Sequence, residues 1–323
     1  MTGRASRAAR VVALCAFGVV MLPIAARGQS PAELGVRCVA AGGAPTPCIV
    51  GGVASRALMG QIGLLAGFGS EVPGTASNLG TRVGGGPRWS FSARVGAART
   101  RLPLISDPTG AAEQSFVTTA VHTGVTLGLF DGFRLMPTVG GFLSTDVFGQ
   151  ASFLMPPEGE GFSGGTKSFA LGVRVGILRE GFTLPGISVS AAKRFPGSVT
   201  FGDTAGGDIA NMVLEPSVTS LRATVGKDLF AVEVLAGVGW EEYTGDVALR
   251  ASDGLVGFVD LTGDMSGSRR LYFGSAAMTF SIVLSLSVEG GWAEGFDPVA
   301  GYSGGHDPAA GAPFGSFAVR LAF

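Results

Sequence analysis

The last nine residues, Gly315 to Phe323, alternate with a period of two: Phe317, Val319, Leu321 and Phe323 fall on one face, and Ser316, Ala318, Arg320 and Ala322 on the other. This period calls for an extended chain with one apolar face and one wetter face. The same pattern recurs upstream. Trp89, Phe91, Ala93 and Val95 alternate with Ser90, Ser92, Arg94 and Gly96; Val117, Val121, Val125, Leu127 and Leu129 stand opposite Thr118, His122, Thr126 and Gly128. Phe169, Leu171, Val173, Val175 and Ile177 repeat it most cleanly, and Ile187, Val189 and Ala191 follow, with Lys193 as a charged departure on the apolar face. A long side chain at the edge of an apolar layer can still reach water.

Composition excludes several classes. With 54 Gly in no triplet repeat and 46% hydrophobic residues, the chain is neither collagenous nor disordered. A net charge of −1, without a Lys/Arg run beyond the first residues, gives no electrostatic footprint for nucleic acid. Neither Gly226-Lys227-Asp228 nor Gly84-Gly85-Gly86 has the context of a phosphate loop.

Residues 1–28 read as a cleaved secretory signal, with Arg4, Arg7 and Arg10 ahead of an apolar core that is too short to span a bilayer. In the exported remainder Cys38 and Cys48 are expected to form a disulfide around a short Gly/Pro loop; no further ligand lies beside them for a metal. Residues 29–86 form an N-terminal segment. Its part up to 56 reads as irregular, and the stretch from Ala54 to Phe68 fits either helical or alternating spacing.

Ten strands are expected across residues 87–323. Asp131-Gly132, Glu180-Gly181, Lys227-Asp228 and a turn near Ser281 join them tightly, and long loops are expected near 101–114, 146–164, 202–215, 245–269 and 296–313. The returning strand after Asp131-Gly132 is placed at Arg134 to Leu143, and a two-residue turn at Lys227-Asp228 puts Arg222 opposite Glu233. Leu271 to Val288 carries no charge and has the length of a membrane helix, but Ser281, Ser285 and Ser287 alternate with Ile282, Leu284, Leu286 and Val288 as in a strand.

This rhythm, with a terminal strand ending in Phe323, resembles that of bacterial outer-membrane β-barrels, which join strands by short periplasmic turns and long extracellular loops. The resemblance covers about three quarters of the chain and identifies no subfamily. It implies an all-β, up-and-down antiparallel transmembrane barrel of about ten strands, with twelve as the alternative. An even count favours a helix or plug at residues 57–69 over another strand. The resemblance also implies that Phe317, Val319, Leu321 and Phe323 face lipid and form the signal read by the outer-membrane assembly machinery.

Alternation assigns Arg88, Arg94, His122, Arg174, Arg194, Arg222, Glu233, Glu241, Glu289 and Arg320 to the lumen, where they either brace a narrow barrel or bias it toward anionic solutes. No catalytic set, metal or cofactor is expected. His122 reads as a lumen polar residue, and His306-Asp307 as a chance dipeptide in a Gly/Pro-rich loop. The leading expectation is passive passage of small solutes or apolar compounds, the cargo being unidentified. A structural or surface-binding barrel is the alternative, and a membrane-embedded hydrolase is a third and remote one.

Overall fold

Alternating strands become a barrel when the first meets the last, and here they do. The computed structural model describes residues 28–81, 86–134, 140–157, 159–280 and 283–323; the expected signal segment falls outside these up to residue 27. The strands are β1 (Arg88–Pro103), β2 (Glu113–Phe130), β3 (Ser144–Met155), β4 (Thr166–Leu178), β5 (Gly186–Pro196), β6 (Val199–Phe201), β7 (Ala210–Leu229), β8 (Val232–Ser252), β9 (Phe258–Thr279), β10 (Leu284–Ala293) and β11 (Ala312–Ala322). Every neighbouring pair is antiparallel. β1 pairs with β11, β5 pairs with β7, and the ring closes at ten strands, with β6 a three-residue addition on β7 above the end of β5.

Polarity is inverted relative to a water-soluble barrel. Trp89, Phe91, Val95, Val121, Val125, Phe169, Leu171, Leu221, Val238, Trp240, Val288 and Phe317 are exposed on the outside, whereas Ser90, Arg94, His122, Arg174, Ser190, Arg222 and Glu289 are buried inside. With no water in a bilayer core, a strand can cross only if its backbone groups are paired, and closure pairs them. Lys193 points outward beside the Phe195 ring, 5.7 Å from its centroid. Leu271 to Val288 forms the end of β9 and the start of β10 where described, and no helix.

Several boundaries differ from expectation for local reasons. The strand after Asp131-Gly132 starts only at Ser144; residues 135–139 fall outside the described set, and Phe133 and Phe142 make an isolated bridge in the connection. The turn after β7 lies at Phe230-Ala231, where Phe230 takes φ 66°, and so Arg222 pairs with Gly239 rather than Glu233. β8 and β9 continue to Ser252 and from Phe258, which reduces the expected loop at 245–269 to residues 253–257. Their upper halves rise above the shorter β10 as a ribbon whose outer face is polar: Glu215, Asp246 and Asp264 stand opposite one another on β7, β8 and β9.

Residues 29–56, expected to be irregular, are largely helical, and the helix favoured over a strand at 57–69 is the end of a longer one. Helix α1 (Pro31–Ala40) starts at a capping box, Ser30 accepting from the Glu33 amide and Glu33 from the Ser30 amide. Helix α2 (Pro45–Ala66) begins with Pro in its first turn and stops at Gly67. A disulfide between Cys38 and Cys48 joins the two, with Cα atoms 5.5 Å apart. Helix α1 leans on the ribbon: Gln29 N donates to Asp264 O, Arg37 to Thr262 O, and Ala44 N to Ser252 O. From this long-loop end α2 descends inside the barrel. A strap of residues 67–81 continues to the tight-turn end, where β1 begins.

Candidate functional site

The lumen has two tiers. In the upper one α2 is buried on all sides, its Leu58, Met59, Ile62, Leu64 and Leu65 packed into a core with Leu102, Leu154, Phe201, Met212, Val218, Tyr243 and Leu249 of the wall. A helix buried all round carries no narrow apolar stripe, which is why spacing alone left this stretch ambiguous. Small residues let it sit close: a Cβ on Gly63 would overlap the Tyr243 ring, and one on Gly51 would lie 2.6 Å from Leu249 Cδ1. Cavities of about 30 and 20 Å³ flank it, each large enough for a water or two.

The lower tier is polar and wraps the strap. Arg94 donates to the carbonyls of Phe68 and Ser70, both at 2.7 Å, and its Nη1 lies 3.8 Å from Glu289. Arg222 donates to the carbonyls of Gly67 (2.7 Å), Phe68 (3.2 Å) and Gly69, and to Glu241 Oε1 at 2.7 Å. These guanidinium groups meet the negative end of the α2 dipole, where the last carbonyls lack helical partners. Farther down, Arg174 donates to the carbonyls of Thr75 and Ser77 and to Asp146 Oδ2 at 2.9 Å. Acidic side chains receive the strap's amides: Glu289 from Ser70, Glu233 from Ala76, Asp146 from Leu79.

Glu71 is the strap's one acid, and it is almost fully buried. Its Oε1 accepts from Arg194 Nη2 at 2.5 Å and from Ser220 Oγ at 3.1 Å, with Arg222 Nε 3.5 Å away. Arg194 and Arg222 also share Glu241, whose Oε2 accepts from Tyr243. Arg269 donates to Tyr243 Oη and to the carbonyl of Gly60, which extends the cluster up to α2.

Of the residues assigned to the lumen by alternation, Arg94, His122, Arg174, Arg194, Arg222, Glu241 and Glu289 are buried within it. Glu233 and Arg320 are half-buried nearer the tight-turn end, Arg320 donating to Ser285 Oγ at 3.2 Å. Arg88 differs. It lies exposed at the open rim, with Nη1 3.5 Å from Leu79 O, because β1 has only begun there. Glu71, Asp146, Tyr243 and Arg269 belong to the cluster and were not singled out; Asp146 and Arg269 fell in expected loops that are strands. On the C-terminal strand Phe317 and Phe323 are exposed and Val319 and Leu321 half-buried; Phe323 stacks on Trp89 with centroids 4.5 Å apart across the seam.

Both histidines have partners. His122 Nδ1 lies 2.7 Å from Ser152 Oγ, with Phe68 edge-on at 5.2 Å, and its Nε2 meets no partner among the described residues. His306 Nδ1 lies 2.8 Å from Glu113 Oε2 in the last long loop. Burial there holds the His306 pKa below the ordinary imidazole range, against the opposing pull of Glu113. A nucleophile–base pair needs a group that orients the base, and Ser152–His122 shows none among the described residues.

No protein-family model matches the chain, and no curated protein does. Among solved structures, the outer membrane protease OmpT from Escherichia coli aligns over 73% of this chain and 96% of its own, at 11% identity and a TM-score of 0.39. The translocator domain of autotransporter NalP from Neisseria meningitidis covers 73% and 88%, at 12% identity and 0.36. Ail, the attachment invasion locus protein of Yersinia pestis, covers 73% and 98%, at 10% identity and 0.32. Such distant likenesses transfer no activity. By its own closure, antiparallel order and inverted polarity the chain is a β-barrel of the bacterial outer-membrane kind.

Proposed function

We propose that this protein is a non-conducting outer-membrane barrel that works at its long-loop end as a surface-binding platform. One observation carries the reading: α2 fills the upper lumen with an apolar core. Burying a large aliphatic or aromatic side chain is worth about 1.5–3 kcal/mol, so Leu58, Met59, Ile62, Leu64 and Leu65 of α2 alone oppose withdrawal into water by roughly 7–15 kcal/mol. The working surface is then α1 with the β8–β9 ribbon, whose turn presents Leu255 and Val256 at 86% and 99% exposure.

Passage of small solutes or apolar compounds is the competing reading, and it requires α2 to leave that core. Planar-bilayer recording of protein that still shifts on a gel upon boiling separates the two. Absence of unit conductance is the expected result; reproducible channel steps would overturn the platform reading in favour of passage. Hydrolysis is not part of the proposal, since Ser152–His122 has neither an orienting group nor an open approach past Phe68. The lipid-facing strand from Phe317 to Phe323 is proposed as the segment recognised by the assembly machinery, and its ring contact with Trp89 supports a role in closing the seam.

A further inference from the structure

The strap and α2 are held by different forces, and the difference marks out a binding site. α2 is seated by apolar burial, and Phe68 continues that core with its ring beside His122 and Phe314, whereas residues 69–77 are seated largely by wall side chains that hydrogen-bond to backbone carbonyls and amides. Such contacts do not depend on the strap's sequence; beyond Phe68, the side chains that add to them include the Ser70 hydroxyl, which donates to Glu289, and the one charged group, Glu71. Its carboxylate sits among Arg194, Arg222 and Ser220, and it fills the seat incompletely. Glu71 Oε2, Arg194 Nε and Nη1 and Arg222 Nε, all buried, have no hydrogen-bond partner among the described residues. One oxygen is therefore bound where the donors present could hold two. Counting charges, Arg94, Arg194, Arg222 and Arg269 face Glu71, Glu241 and Glu289, so removing Glu71 leaves four cations against two anions.

We infer that Arg194, Arg222 and Ser220 form a carboxylate-binding seat in the lower lumen, occupied in cis by Glu71, and that the strap of residues 69–81 is releasable while α2 and Phe68 stay in place. A carboxylate-bearing solute that enters from the tight-turn end competes with Glu71 for the seat and frees the strap. With the platform reading this shares only a fixed α2, which a Ser55→Cys reporter reads separately; the seat itself lies below the apolar core.

The strap can be watched through the wall residue beneath it. A Cβ on Gly74 would lie 2.9 Å from Ser287 Cβ, so the strap covers Ser287 closely. In the full chain folded in liposomes, a Ser287→Cys reporter is expected to react slowly with a water-soluble maleimide. Adding Glu71→Ala removes a charge-assisted bond and is expected to raise the rate by about tenfold or more. Acetate, compared with chloride at equal ionic strength, is expected to speed the labelling of Ser287→Cys in the protein that keeps Glu71, by displacing its carboxylate from the seat, and to add nothing in the Glu71→Ala protein. A Ser55→Cys reporter, on α2 itself and buried beside Met212, is expected to stay protected throughout. Unchanged labelling of Ser287→Cys in Glu71→Ala would overturn the latch, and labelling of the Glu71-containing protein that is indifferent to acetate would overturn the anion seat. Parallel labelling of Ser55→Cys would show that the whole plug had come out, which is equally fatal. Should Glu71→Ala not fold, Glu71→Gln keeps the shape, loses the charge and decides the same points.

Discussion

Arg222 holds more of this molecule together than any other side chain described, donating to three strap carbonyls and to Glu241 from a position of 1% exposure. Replacing one member of a buried ion pair leaves the other uncompensated, at a cost of about 3–5 kcal/mol. Arg222→Met is therefore expected to lower the free energy of unfolding in detergent by that amount, read from the shift of the urea midpoint in gel mobility; a shift within error of wild type would mean that Arg194 and Arg269 neutralise Glu241 unaided. The inward placement of Arg222 was legible from a period of two, since alternation tells which face a side chain occupies. Its partners were not. Glu233 was the expected partner because Lys227-Asp228 has the look of a two-residue turn, yet the turn formed three residues later at Phe230-Ala231. The carbonyls of Gly67, Phe68 and Gly69 belong to backbone, and no residue type announces them.

At the scale of elements, strands were readable from alternation, whereas the plug followed only from the even strand count and its start at Pro45 did not follow at all. A strand facing lipid on one side and a filled lumen on the other keeps strict alternation, as β4 does from Phe169 to Ile177. Helix α2 meets side chains in every direction and so shows neither alternation nor a helical stripe, and its Gly residues read as loop. They have another purpose: Gly51, Gly60 and Gly63 face Leu249, Phe296 and Tyr243 at distances no side chain could share. Gly63→Leu should consequently unseat α2 while leaving the wall pairing intact. The expected result is a barrel that still resists heat on a gel but is cut by trypsin at Arg56, which is nearly buried in the wild-type protein. Protection of Arg56 in the variant would mean that the Tyr243 ring can move aside. The long β8–β9 ribbon was missed for a related reason. Above the lipid belt its outer face turns polar, with Asp246 and Arg250 exposed, while Val247, Leu249 and Ala251 face the core, and a strand wet on its outer side, such as Tyr243 to Ser252, looks like loop to a pattern that seeks lipid.

For the whole molecule, the path of the chain makes a stronger demand than the strand count. Residues 28–44 are bonded to Ser252, Thr262 and Asp264 at the long-loop end, α2 and the strap run down the lumen, and β1 starts beside Phe323 at the tight-turn end. The beginning of the described chain and the beginning of the barrel thus lie at opposite ends of one lumen. With long loops outward and short turns in the periplasm, as in outer-membrane barrels, the segment ahead of α1 emerges on the outer surface although the barrel it leads into starts on the inner one. An epitope inserted just before Gln29 is expected to bind antibody on intact cells, as is one in the Gly254–Gly257 turn. One at Phe230-Ala231 is expected to bind only after the outer membrane is permeabilised. If the tag before Gln29 instead behaves like the one at Phe230-Ala231, the segment does not reach the long-loop end. The contacts of Gln29, Arg37 and Ala44 with the ribbon, and with them the filled upper lumen, would then have to be given up together.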